Sequence, residues 1–439
     1  MILVSFLIAI LIGTLLLFLP ISSADGVSIG FVNALLTATS ATCVTGLVAV
    51  PTFSSFSIFG QAVILFLIQI GGLGIITVMA AIAFFVKKEM GLSDRVLLQD
   101  SFNLNTLFGL SEFIKKVVVC TLAVEGIGAL LYMTVFVPDF GARGIWVSVF
   151  TSVSAFCNAG IDIIAADSLC SYYSNPLVNI VTCALIILGG IGYIVWWDVM
   201  RVVKEAKRKR RIFASLTLHS KIALVSTLFW ILFGAVAIFV FEYDNPLTMG
   251  GFSTPQKIMA SLFQSVTTRT AGFATVSQSG LTNASAFVCM LMMFIGGSPV
   301  GTAGGIKTVT FTVLMAAAIS AIKNKDGVTI FGRSLSRTAV RKATSVCAMS
   351  FLTVFVSSVL LSACTDASAL DIMYETVSAT ATVGLTRDLT PLLSTAGKLI
   401  VTATMYFGRV GPISLAIAFN IKKEDRNSVK DPVEEISVG

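Results

Sequence analysis

From Gly26 to Val86 the chain runs for 61 residues without a charged side chain. A soluble domain of ordinary composition carries a charge at about every fourth residue. An apolar helix needs only ~20 residues to cross the ~30 Å hydrocarbon layer of a bilayer. The rest of the sequence repeats the theme. Of 439 residues, 56% are hydrophobic and 12% charged, and the mean hydropathy is +0.92. A polytopic membrane protein follows, and Met1 to Pro20 reads as its first span, since it lacks the basic segment that opens a secretory signal.

The formal charge of +7 does not call for nucleic acid, because the basic residues punctuate the apolar blocks. They cluster at Lys87, Lys88, Arg95, Lys115 and Lys116, in "RVVKEAKRKRR" (Arg201 to Arg211), and at Lys323, Lys325, Arg333, Arg337, Arg341 and Lys342. The last group is Lys422, Lys423 and Arg426 in the tail. This is the pattern of cytoplasmic loops, so each block enters and leaves on the same side and both termini are cytoplasmic. The basic run from Lys204 to Arg211 is expected to be solvated and to meet lipid headgroups.

Two crossings do not use up a block. Between the two strong spans of the first lies "GFVNALLTATSATCVTGL", too polar for lipid and too apolar for an exposed loop. A re-entrant segment fits, because irregular backbone at membrane depth is tolerated where it lines a water-filled cavity. The pattern then recurs. "TCVTGL", "CNAGI", "TRTAGF" and "TATVGLT" carry Gly46, Gly160, Gly272 and Gly384, separated by 114, 112 and 112 residues. Each is preceded by a short Ser/Thr-bearing segment: "NALLTATSA", "VFTSVSAF", "SLFQSVTT" and "MYETVSAT". Four copies of span, short helix, glycine-containing strand and span account for nearly the whole chain.

Four re-entrant strands can surround one axis. Inward carbonyls replace the water oxygens lost by a bare K⁺ without adding net charge. Glycine permits the backbone angles that such a strand needs. A short helix ending near the ion turns its negative end toward it, and the hydroxyls of the opening stretch can brace the strand from behind. The expected fold is an all-α integral membrane protein with four span–pore helix–span repeats in quasi-fourfold arrangement around one pore, eight spans plus four re-entrant pore helices. The repeats are assigned to 1–86 (filter 42–47), 87–205 (filter 157–162), 206–322 (filter 268–273) and 323–421 (filter 381–386), with a tail over 422–439.

With "SATCVTGL", "SAFCNAGI", "TTRTAGF" and "SATATVGLT" in order, the chain resembles the K⁺-translocating subunits of the bacterial Ktr/Trk transporters, in the superfamily that includes plant HKT proteins. The resemblance implies that filter carbonyls come from Val44, Thr45 and Gly46; Asn158, Ala159 and Gly160; Thr270, Ala271 and Gly272; and Thr382, Val383 and Gly384. Family members with serine in the first loop tend to pass Na⁺, so glycine at all four positions implies K⁺. It further implies K⁺ uptake across a bacterial plasma membrane, a homodimer, and a cytoplasmic KtrA-like RCK ring that binds ATP or ADP, with nucleotide on that partner only. Na⁺ is a candidate activator. No cofactor is expected on this chain.

"GGSPVGTAGGIKT", Gly296 to Thr308, interrupts the second span of the third repeat with Gly296, Gly297, Pro299, Gly301, Gly304 and Gly305. Ile306 stands where a phosphate-binding loop needs glycine before its lysine, so it is no P-loop. It resembles the family's intramembrane gating loop, held beneath the filter; a passive kink is the alternative. Arg409 is a lone cation in mid-span, by default functional. The resemblance puts it in the pore near the gate, whereas a structural ion pair to Glu125 or Glu375 is the other reading. Arg269, next to a filter position, is expected to point behind the strand. "GGLG" (Gly71 to Gly74) and "GGIG" (Gly189 to Gly192) read as helix-packing patches.

An intramembrane enzyme would need paired aspartates, a Ser/His pair or a metal cluster at membrane depth. His219 is the single histidine, and the eight cysteines form no C-x-x-C pair, so they read as small buried hydrophobes. The remaining rival is a secondary cation symporter (Na⁺/K⁺ coupled) with discontinuous helices.

Overall fold

Segments that read as spans form helices whose large side chains turn outward. The computed structural model describes residues 2–74, 110–205, 212–325 and 327–411. The end of the first repeat, the linker residues Lys87, Lys88 and Arg95, the basic run over 206–211 and the chain from 412 through the tail 422–439 lie outside the described residues. The helices are α1 (Ile2–Phe18), α2 (Phe31–Cys43), α3 (Ile58–Leu73), α4 (Leu110–Phe140), α5 (Arg143–Cys157), α6 (Pro176–Gly190) and α7 (Tyr193–Glu205). They continue as α8 (Leu218–Glu242), α9 (Thr254–Thr267), α10 (Asn283–Phe294), α11 (Thr308–Ile322), α12 (Arg337–Ser362), α13 (Ala369–Ala381) and α14 (Thr395–Val410). A two-residue hairpin, β1 (Thr329–Ile330) paired antiparallel with β2 (Arg333–Ser334), joins α11 to α12.

The helix α8 shows the principle. Val225, Leu228, Leu232, Val236 and Val240 are exposed along one face, while Ser226, Thr227, Ile231, Gly234 and Ile238 are buried on the other. A water-soluble helix would do the reverse; lipid accepts the large apolar side chains, and small residues let neighbouring helices approach. Three described helices are long and apolar enough to cross a bilayer: Glu112–Phe140, Leu218–Glu242 and Arg337–Ser362. Polar caps fix where helices start. The side chains of Ser57, Asn175, Thr217, Thr282, Ser336, Ser368 and Ser394 each accept a backbone N–H in the first turn that follows.

The second spans of the second and third expected repeats do not run straight. α6 and α7 meet at 96° across Ile191 and Gly192, and α10 and α11 are separated by the glycine-rich stretch. α3 and α14 end at Gly74 and Gly411, whose φ values of 83° and 77° match that of Gly192, 91°. "GGLG" and "GGIG" are packing patches as expected, since a Cβ on Gly72 would lie 2.5 Å from Cys157 Sγ and one on Gly189 would lie 2.8 Å from Thr302 Oγ1. "GGIG" also marks the bend between α6 and α7, and "GGLG" lies at the end of α3.

The four short helices α2, α5, α9 and α13 pack cyclically. Each touches the second span of the repeat before it: α5 on α3, α9 on α6, α13 on α10, and α2 on α14. Two long-range hydrogen bonds fasten α14 to the first repeat, Lys398 Nζ to Asn33 Oδ1 of α2 at 3.0 Å and Tyr406 OH to the Leu3 carbonyl of α1 at 2.9 Å. The buried apolar clusters follow the same circuit, and one of them joins Ile10, Leu36 and Leu47 to Leu361, Val401 and Met405.

Candidate functional site

The helices α2, α5 and α13 each stop three residues before the repeated glycine, and α9 stops five before it. Val44, Asn158, Thr270 and Thr382 all have positive φ (56°, 60°, 74° and 51°), and so do Gly46, Gly160, Gly272 and Gly384 (100°, 64°, 84° and 95°). Positive φ in a β-branched residue is rare and costs free energy, so its recurrence at equivalent positions marks a geometry held by its surroundings. Three helices close identically, with the following N–H reaching back into the last turn: Thr45 to the Ser40 carbonyl (2.8 Å), Ala159 to Ser154 (2.8 Å) and Val383 to Ser378 (2.9 Å).

Hydroxyls then brace the strands. Ser40 Oγ accepts the Gly46 N–H at 2.9 Å and Ser378 Oγ accepts that of Gly384 at 3.1 Å. In the other two loops the hydroxyl donates instead: Ser154 to the Ile161 carbonyl and Thr267 to that of Phe273, both at 2.6 Å. The third brace stands one residue nearer its glycine. There the turn continues through Thr268 and Arg269, and the Ala271 N–H bonds to the Thr267 carbonyl. The Arg269 guanidinium is buried and points away from the strand, donating to the Thr227 carbonyl (3.3 Å) and the Gly296 carbonyl (3.3 Å).

The four glycines meet. A Cβ on Gly46 would lie 2.6 Å from the Ala159 carbonyl oxygen, and one on Gly272 would lie 2.5 Å from that of Val383. A Cβ on Gly160 would collide with the Ala271 carbonyl oxygen, and one on Gly384 with that of Thr45. Each glycine therefore abuts the carbonyl of the residue before the next glycine, and the fourth loop returns to the first. Above them all four glycines open into one cavity of about 590 Å³, lined also by Asp162, Asp167 and Asp388 and, among the described residues, by no lysine or arginine. Such a mouth attracts cations.

Beneath them lies the stretch from Gly296 to Lys307, fastened to three of the four repeats. From the second, the Gly190 carbonyl accepts the Ser298 N–H (2.9 Å), the Gly189 carbonyl accepts the Thr302 N–H (3.1 Å), and the Phe156 carbonyl accepts Thr302 Oγ1 (3.1 Å). Thr270 Oγ1, in the third glycine loop, accepts the Gly304 N–H at 3.2 Å. From the fourth, Arg409 donates to the Thr302 carbonyl at 2.8 Å and to the Gly71 carbonyl at 2.5 Å. Gly305 has φ 64° and packs on the Gly296 backbone, while Pro299, Val300 and Gly301 approach Gly189 and Gly192. Neither Glu125 nor Glu375 pairs with Arg409. Glu125 accepts from Gln69 Nε2 at 3.3 Å, and Glu375 accepts from Thr386 Oγ1 (2.6 Å) and from Thr390.

The family model described as TrkH, "Cation transport protein", matches residues 1–431. The chain belongs to the TrkH cation transport family. Within it, this TrkH-family chain is 39% identical to "Ktr system potassium uptake protein B" of Bacillus subtilis over 437 residues, 99% of this chain and 95% of that one. It is 36% identical to "Potassium/sodium uptake protein NtpJ" of Enterococcus hirae over 444 residues, 99% and 95% of the two chains. In fold it is similar to the potassium transporter TrkH from Vibrio parahaemolyticus, with TM-score 0.74 at 16% identity, covering 94% of this chain and 84% of that one.

Sequence reasoning did not find that the Gly71, Gly189 and Gly190 carbonyls anchor the loop and Arg409. The signal was present in the Gly-Gly pairs of "GGLG" and "GGIG", which occupy the same place in their repeats as Gly296 and Gly297.

Proposed function

We propose that this TrkH-family protein carries K⁺ into a bacterial cell through one pore on the axis shared by its four glycine loops. Eight spans and four re-entrant helices (α2, α5, α9 and α13) surround it, with both termini cytoplasmic. The observation that carries the reading is the closed circuit in which each glycine abuts the carbonyl before the next. Carbonyls at Val44–Gly46, Asn158–Gly160, Thr270–Gly272 and Thr382–Gly384 then replace the hydration of K⁺. The negative ends of four short helices converge on the same place and favour a cation.

The stretch Gly296 to Thr308 is the gate and Arg409 its latch, bridging the loop at Thr302 to the last turn of α3 at Gly71. A homodimer and a cytoplasmic nucleotide-binding RCK ring complete the system, with Na⁺ as an activator, as suits the likeness to a Ktr system protein. The reading is tested by reconstituting the purified chain in liposomes and comparing flux under K⁺, Rb⁺ and Na⁺ gradients. Passive flux in the order K⁺ ≈ Rb⁺ > Na⁺ supports it. Uphill K⁺ movement driven by a Na⁺ gradient, with Na⁺ carried in fixed ratio to K⁺, refutes it in favour of a symporter.

A further inference from the structure

One cavity lies beside the glycine-rich loop. It has a volume of about 290 Å³, and the described residues that line it belong to the third and fourth repeats. Part of its wall is exposed apolar surface: Met349 of α12 and Phe407 of α14 are 45% and 44% exposed. The opposite part is deep, formed by buried Gly304 and Ala381, and there Lys307 and Arg409 face the space. The cavity thus joins the outer surface of the helices to the underside of the loop.

The two cations are served by neutral acceptors. Lys307 Nζ donates to the Ala303 carbonyl and, at 3.4 Å, to that of Gly304; an ammonium has three hydrogens to give. Arg409 donates to the carbonyls of Thr302 and Gly71, two of its five N–H groups. Neither enters an ion pair among the described residues. Two cations at one end of an apolar cleft, with donors to spare, complement an anion that carries a hydrocarbon tail.

We propose that this cleft binds a long-chain fatty acid from the bilayer, its carboxylate on Lys307 and Arg409 and its acyl chain leaving between α12 and α14. A diacyl phospholipid is the poorer fit. The cations lie beside Thr380 and Ala381, at the inner end of a re-entrant helix, whereas a phospholipid headgroup stays at the membrane surface. A fatty acid moves through hydrocarbon as the neutral acid and ionises beside the two cations, its proton passing to water. Its carboxylate competes with the Thr302 and Gly304 carbonyls for their donors and so loosens the loop. This last consequence, unlike the binding itself, rests on the gating role proposed above.

The test uses the full chain in liposomes with a diazirine-bearing stearic acid, photolysed and mapped by peptide mass spectrometry. Label concentrated at 346–353 and 407–411 is expected, displaced by oleate but not by oleyl alcohol or phosphatidylglycerol. Met349→Trp and Thr353→Trp, which fill the cleft, should each cut that label about fivefold. Label spread evenly over the exposed helices, or equal displacement by the alcohol or the phospholipid, overturns the proposal. Oleate should also raise Rb⁺ flux about two- to fivefold over each variant's own basal rate, and the Trp variants should lose this response. Correct label without any change in flux confirms the site and refutes its coupling to a gate.

Discussion

Replacing Gly46 by alanine adds one methyl group at the centre of the circuit, and its cost can be read from the structure. The new Cβ lies 2.6 Å from the Ala159 carbonyl oxygen and 3.1 Å from the Gly384 Cα. Both are backbone, so no side chain can turn aside. The residue also sits at φ 100°, a region that costs an L-residue roughly 1–3 kcal/mol. Relieving the strain moves the Ala159 carbonyl outward, and in the filter proposed above this spoils a ring matched to K⁺ more than it hinders Na⁺. If most of the 1–3 kcal/mol appears as lost K⁺ preference, the K⁺/Na⁺ permeability ratio falls by about 5- to 150-fold. Gly46→Ser should act in the same direction. Bi-ionic flux in liposomes, with monodispersity in detergent as a folding control, makes the measurement. A monodisperse Ala variant with an unchanged ratio would falsify the filter assignment for this loop.

Four further outcomes follow from the same geometry. Deleting Gly301 to Gly305 should raise K⁺ flux and free it from the cytoplasmic partner, because it removes the segment fastened to Gly189 and Arg409; ordinary, regulated flux in an inserted mutant would leave the loop a kink. Arg409→Ala should increase K⁺ flux several-fold with only a modest fall in thermal stability, since its partners are carbonyls and no carboxylate is stranded; loss of the protein from detergent extracts would point to a structural role. Ser378→Ala leaves the buried Gly384 N–H without its acceptor, a cost of about 1–3 kcal/mol, and should lower both the melting temperature and the K⁺/Na⁺ ratio, whereas Ser362→Ala on an exposed turn should change neither. Arg387 joins Asp371 at 2.7 Å and the Gln278 and Leu281 carbonyls at 3.1 and 3.2 Å, so Arg387→Ala should cost about 2–4 kcal/mol of stability, read as a lower melting temperature in detergent.

Much of this was legible in the sequence because it repeats locally. The glycine spacing, the hydroxyls ahead of each glycine and the outward turn of Arg269 all follow from short-range pattern and charge. Three things were not legible. Val44, Asn158, Thr270 and Thr382 do not advertise positive φ, because tertiary packing and not intrinsic preference holds them there. The third loop keeps its brace at Thr267, where the other loops use Ser40, Ser154 and Ser378, because an extra stretch of turn precedes its strand, a register shift that glycine counting hides. The order in which the loops abut joins residues more than a hundred positions apart, and no local pattern encodes it. The same holds for Arg409, whose acceptors at Gly71 and Thr302 carry no side-chain signal at all.

The seam between α14 and the first repeat has a consequence for biosynthesis. Lys398 meets Asn33 across 365 positions and Tyr406 meets Leu3 across 403, so the first quarter of the ring waits for the last to leave the ribosome. Contacts of such separation form late. Until then the carbonyls before Gly46, Gly160 and Gly272 face an incomplete circle, without the fourth loop that closes it. A ring cut from one chain, unlike one assembled from four copies, thus completes itself once per molecule and in a fixed order, and a ribosome that stalls before Gly384 leaves behind a protein whose circuit of glycine loops is open.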